Sequence, residues 1–119
     1  MEIEEITSTL KELNNSNSEI LLSMLVSSDG FTLAHEGDVD DPDRVGALYI
    51  ELQLVCNKIM SELQYDELEE MFIRSKSGCV TIMPIDEKGL IACMSTPKLN
   101  AGNLQILVWR AASKLSKLL

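Results

Sequence analysis

The sequence predicts an α/β (α+β) protein, a three-layer α/β/α sandwich on a five-stranded antiparallel sheet in the order α-β-β-α-β-β-β-α. Three observations predict it. The stretch Glu19–Glu36, EILLSMLVSSDGFTLAHE, reads as strand, tight turn, strand. A second hairpin, Cys79–Ser95, is mainly apolar on both faces, which demands helices on both sides of the sheet. Three stretches with helical periodicity are available to supply those layers.

Composition bounds the reading. A chain of 119 residues is expected to form one domain, 1–119, and to bury roughly two-thirds of its unfolded surface. Apolar content of 45% fits a globular protein. The net charge of −9 repels phosphate backbones and anionic bilayers, so no nucleic acid and no direct membrane insertion are expected. No apolar run approaches the ~20 residues of a spanning helix. MEIEEIT is acidic and lacks a signal-peptide core. Three cysteines without a C-x-x-C pair fit a reducing compartment. The expected location is cytoplasmic.

The elements follow in order. Met1–Leu13 reads as a helix, with Ile3, Ile6, Leu10 and Leu13 as its stripe. The run Asn14–Ser18 is expected to break it, because such side chains bond to the local backbone. In the first hairpin, Gly30 supplies positive φ for the turn. The acidic loop Gly37–Asp41 lacks the register of a calcium loop. It reads instead as a helix start, with Asp40 or Asp41 capping and Pro42 in the first turn.

The helix from Pro42 to about Gln64 is the longest element. Steps of ~100° per residue place Val45, Leu48, Leu52, Val55, Ile59 and Leu63 on one face. Tyr49, Cys56 and Met60 widen it, and Ala47, Ile50 and Leu54 lie nearly opposite. A helix covering one sheet needs a single stripe. The second patch predicts contact with another protein surface. Asp66–Lys76 reads as an edge strand, which beside an apolar helix can serve as a dimer seam.

In the second hairpin, pairing Ile85 with Leu90 sets Met83 against Ala92 and Ile82 against Cys93. Cys79 then pairs near Thr96, so a disulfide to Cys93 is not expected. Pro84 predicts a bulge or a strand end. Asn100 caps the last helix, whose core stripe is Leu104, Leu107, Val108, Ala111, Leu115 and Leu118. Ile106 and Trp109 lie off that stripe and adjacent to each other.

No residues assemble a catalytic pattern. The one histidine, His35, cannot build a multi-His metal site, and no Ser or Cys has a nucleophile's context. Ser75-Lys76-Ser77-Gly78 lacks the phosphate-loop register. The expectation is a protein that is not an enzyme, with no cofactor and no metal.

Four stretches carry a family resemblance. They are MLVSSDGFTLAHEG, DPDRVGALYIELQLVCNKIM, FIRSKSGCVTIMPIDEKGLIACM and NAGNLQILVWRAASKL. In this order and spacing the chain resembles the Roadblock family, the dynein light-chain type domain also found in bacterial and archaeal GTPase regulators. The resemblance implies the sandwich above and a homodimer joined through the central helix and the third strand. Here that points to Tyr49, Cys56, Met60, Leu68, Met71, Phe72 and Ile73. It also implies a non-catalytic regulator or scaffold of a small Ras-like GTPase, with Ala47, Ile50 and Leu54 as the partner surface. The alternative it implies is a light-chain type adaptor that links a motor or membrane complex irrespective of nucleotide.

Overall fold

The computed structural model describes residues 3–119, so Met1 and Glu2 of the expected first helix lie outside the described residues. The elements are α1 (Ile3–Asn15), β1 (Ile20–Ser27), β2 (Thr32–Glu36), α2 (Pro42–Glu62), β3 (Met71–Arg74), β4 (Cys79–Ile85), β5 (Gly89–Ser95) and α3 (Ala101–Leu118). The strands form one antiparallel sheet in the order β2-β1-β5-β4-β3. The predicted fold class and element order are those observed.

Local chemistry sets the boundaries. Gly30 takes φ +93° in the β1–β2 turn. Asp41 caps α2 by accepting from the Arg44 N–H at 3.2 Å, with Pro42 following it. Asn100 caps α3 by accepting from the Asn103 N–H at 2.8 Å. α1 runs to Asn15 rather than stopping at Leu13. Asn14 holds that last turn on the sheet: its amide donates to the Glu36 carbonyl at 3.1 Å, and its Oδ1 accepts from Ser23 Oγ at 2.6 Å.

Two cores flank the sheet. Ile6, Leu10, Leu25, Ile91, Leu104 and Val108 are fully buried between the sheet and the α1/α3 layer. Met24, Val26, Ile82, Leu90 and Ala92 are fully buried under α2. Apolar strands on both sides were therefore a sound sign of three layers.

The second hairpin differs from expectation by one residue. Ile85 pairs with Gly89, Pro84 with Leu90, Met83 with Ile91 and Ile82 with Ala92. The connection is Asp86-Glu87-Lys88, with Asp86 at φ +51° and the Lys88 N–H donating to the Ile85 carbonyl at 3.0 Å. Gly89 belongs to the strand because nothing larger fits. A Cβ there would stand 2.0 Å from the Val26 carbonyl oxygen. The shift moves Leu90, Ala92 and Met94 to the α2 face and Ile91 and Cys93 to the α1/α3 face. Cys79 pairs with Ser95, and all three cysteines are free.

The third strand is shorter than the expected Asp66–Lys76. Met71 pairs with Ile82, so two residues earlier the partner would be Pro84. The Ser75 N–H donates to the Gly78 carbonyl, which turns the even-numbered residues of β4 toward β3. Pro84 thus aims its missing donor at the place where Glu69 would pair, and the ladder cannot continue. Pro84 needs no bulge, because its register with β5 is regular.

The sheet-facing side of α2 also departs from expectation. Gly46 is its buried residue, seated on Val26 and Thr32. Val45, Tyr49, Ile50 and Leu52 pack half-buried on the core beneath. Leu48, Val55, Ile59 and Leu63, which the spacing puts on one face with Val45 and Leu52, are exposed. Ile50, assigned to the partner patch, meets the sheet instead.

Candidate functional site

α2 presents apolar side chains on two flanks. One flank faces β2. Ala47 lies beside the β1–β2 turn, where a Cβ on Gly30 would be 3.7 Å from its Cα. Leu54 continues this flank and is 58% exposed. Of the three expected partner residues, Ala47 and Leu54 are therefore on the surface, while Ile50 is half-buried beneath them. The opposite flank looks toward β4 and β3. There Leu48, Val55, Ile59 and Leu63 form an exposed stripe, with Val55 53% and Ile59 49% exposed.

The expected dimer residues sit behind and beside that stripe. Tyr49, Cys56 and Met60 are half-buried along α2. The Tyr49 hydroxyl donates to Met94 Sδ at 2.9 Å, and burial raises its pKa above the ordinary value. Leu68 lies before the strand, where Asn57 Oδ1 accepts from its N–H at 2.9 Å. Met71 is half-buried, and Phe72 and Ile73 are exposed on β3. Met71 and Ile73 share the α2 face of the sheet, whereas Phe72 faces the α1/α3 layer.

The two edges of the sheet differ. On β2, Asp43 Oδ1 accepts from the Thr32 N–H at 2.9 Å and Asn14 donates to the Glu36 carbonyl. The first covers an outward N–H at the start of the strand, whereas the Glu36 carbonyl belongs to the Ser23–Glu36 pair inside the sheet. On β3, the odd-numbered residues bond β4, which leaves the peptide groups of Phe72 and Arg74 facing outward. Among the described residues no side chain meets them. An unplugged edge beside an apolar stripe is a template for pairing with another chain.

A third apolar surface lies on the far layer. Ile106 and Trp109 are exposed on α3, and Trp109 also walls a cavity of about 250 Å³ between α1 and α3. His35 is exposed, with Nδ1 3.0 Å from the Gly37 carbonyl. Cys93 is fully buried and its thiol is pushed up to about 12 by desolvation, so it stays protonated. Among the described residues no three His, Cys, Asp or Glu side chains gather as metal ligands. No described helix is long and apolar enough to cross a membrane.

Sequence reasoning missed Leu48, Val55, Ile59 and Leu63 as surface residues. The only signal available was Gly46, the one residue of α2 small enough to let the helix settle on the sheet.

Comparison with known proteins places the chain in a family. The curated protein MJ0714 of Methanocaldococcus jannaschii is 30% identical over 112 residues, covering 92% of each chain. Among solved structures, Myxococcus xanthus MglB superposes with a TM-score of 0.90 at 13% identity, over 98% of this chain and 89% of that one. A Roadblock/LC7 domain from Streptomyces avermitilis superposes at 0.87 and 14% identity, over 94% and 95%. The model of the Roadblock/LC7 domain matches residues 6–95, and the chain belongs to that family.

Proposed function

We propose that this chain is a homodimeric, non-catalytic regulator or scaffold of a small Ras-like GTPase. The observation that carries the reading is the apolar surface left uncovered on both flanks of α2. The flank bearing Leu48, Val55, Ile59 and Leu63, with Ile73 of β3 on the same side of the sheet and Phe72 on the other, is the dimer seam. Tyr49, Cys56, Met60, Leu68 and Met71 support it from behind. A two-fold interface uses one patch twice, and a stripe joined to an open strand edge suits that symmetry. The flank bearing Ala47 and Leu54 receives the GTPase, with Ile50 setting its floor. Regulation then works by population shift: the dimer binds one nucleotide state better and biases the switch loops toward it.

The test is a pull-down from lysate of the source organism, run with a non-hydrolysable GTP analogue and again with GDP. A small GTPase retained mainly with one nucleotide, and lost with Leu54→Asp, supports the reading. Recovery of a motor chain or membrane scaffold irrespective of nucleotide replaces it with the adaptor reading. Ile106 and Trp109, remote from α2, would then be the natural contact.

A further inference from the structure

The layer remote from α2 contains the cavity of about 250 Å³ between α1 and α3. Packed helices normally interdigitate and leave no gap of this size. The facing side chains account for it. α1 offers Thr9, whose hydroxyl turns back along its own helix and donates to the Glu5 carbonyl at 2.8 Å. α3 offers Ala111, which has nothing beyond Cβ to reach across. Both residues are buried, so they mark the deep part of the cavity. Leu13 and Leu107 add apolar walls, and the exposed Trp109 ring stands at the mouth.

The rim carries a cation without a partner. Helix α3 has no acidic residue, yet it bears Arg110, Lys114 and Lys117. Glu12 of α1 holds Lys114, whose Nζ donates to both carboxylate oxygens at 2.9 Å. Lys117 lines the neighbouring hollow together with Glu4 and Glu5. Arg110 lines the cavity itself, and among the described residues no carboxylate pairs with it. In a chain of net charge −9 this is a local exception. A guanidinium presents a planar fork of donors that matches a carboxylate. An indole beside it supplies a flat apolar wall. An apolar hollow with one convergent charged group has the make-up of a small-molecule site, here at the small end of the range.

We propose that the α1/α3 cavity binds a small monocarboxylate with a compact apolar body. The body fills the space over Thr9 and Ala111 against Trp109, and the carboxylate meets Arg110. The proposal is independent of the homodimer and GTPase readings, because no residue of the cavity belongs to α2 or β3.

The experiment is a titration of the chain with 4-phenylbutyrate, read by Trp109 emission and by isothermal calorimetry. The neutral counterpart is 4-phenylbutyramide. The acid should bind saturably, with Kd below about 1 mM for a ligand of this size. It should shift Trp109 emission to shorter wavelength as the ring leaves water. The amide should bind at least tenfold more weakly, and Arg110→Gln should bring the acid down to the level of the amide. Ala111→Leu fills the deep part of the cavity and should abolish binding of both. Leu107→Phe narrows the cavity from a half-buried position and repeats that test should the first variant lose its helical circular dichroism. Val55→Glu with Ile59→Glu should leave the titration unchanged, which separates it from self-association. Equal binding of acid and amide overturns the proposal, as does acid binding indifferent to Arg110→Gln. Binding that survives the filling variants, or no saturable heat with the parent chain, overturns it as well.

Discussion

Gly89 carries more of the fold than its size suggests. It sits at φ +157°, a backbone conformation that L side chains rarely adopt, and space forbids a side chain there as well. A Cβ would meet the Val26 carbonyl oxygen at 2.0 Å and the Ser27 Cα at 3.0 Å. The clash is with backbone, which cannot step aside without breaking the β1–β5 ladder. Gly89→Ala should therefore cost about 2 kcal/mol or more, in the range of an overpacked core, measured by urea unfolding. Cys93 gives a second expectation at this scale. Its thiol ionises near 9.0 when unsheltered and is pushed up to about 12 in the fold. The folded state holds the proton more tightly, so its contribution is intact below the lower value. It is lost as pH rises from there toward the upper one. Thermal melts between pH 9 and 11 should show stability falling, and Cys93→Ala should flatten that slope. The residue-scale features most legible in the sequence were those with purely local causes: the Asp41 and Asn100 caps and the Gly30 turn. The hairpin register was not, because the reason Gly89 belongs in the strand lies in β1, more than sixty positions away.

At the scale of elements, α2 shows where periodicity stops being informative. Its apolar residues occupy nearly every direction, so spacing alone cannot say which face meets the sheet. Contact chemistry decides instead. Gly46 lets the backbone approach Val26 and Thr32. Asn57 turns inward because its Oδ1 takes the Leu68 N–H, and Gln53 Oε1 is buried with no hydrogen-bond partner among the described residues. Two polar residues on the sheet-facing side disguised it as the solvent side. The β3 boundary was hidden for a related reason: Pro84 acts on its neighbour across the ladder and on nothing local. The corrected orientation separates two substitutions that the sequence placed together. Leu54→Asp changes an exposed position and should leave the melting temperature within a few degrees of the parent. Ile50→Asp puts a carboxylate against the core under α2 and should destabilise by about 3 kcal/mol, as expected for burying an unpaired charge. Differential scanning calorimetry of both variants decides it, and equal melting temperatures would place Ile50 on the surface after all. On the other flank, Val55→Glu with Ile59→Glu should leave the domain folded and abolish self-association, read by circular dichroism and sedimentation together.

For the whole molecule, the three apolar surfaces face different ways, and this permits a discriminating measurement. The helix part of the dimer seam and the proposed GTPase surface belong to the α2 side of the sheet, whereas Ile106 and Trp109 belong to the α1/α3 side. Trp109 is the only tryptophan and is 61% exposed. Its indole therefore reports on one layer without interference from another. A GTPase seated on Ala47 and Leu54 leaves that ring in water, so titration with the loaded GTPase should not move its emission. A partner helix laid against α3 would cover the ring, because large exposed aromatics act as anchors when an interface closes over them. Its emission would then shift to shorter wavelength in a saturable way. Trp109→Ala should abolish such binding while the α2-side interaction persists. Two saturable transitions, one silent and one seen by Trp109, would make the chain a platform that holds a switch protein on one layer and an anchor on the other.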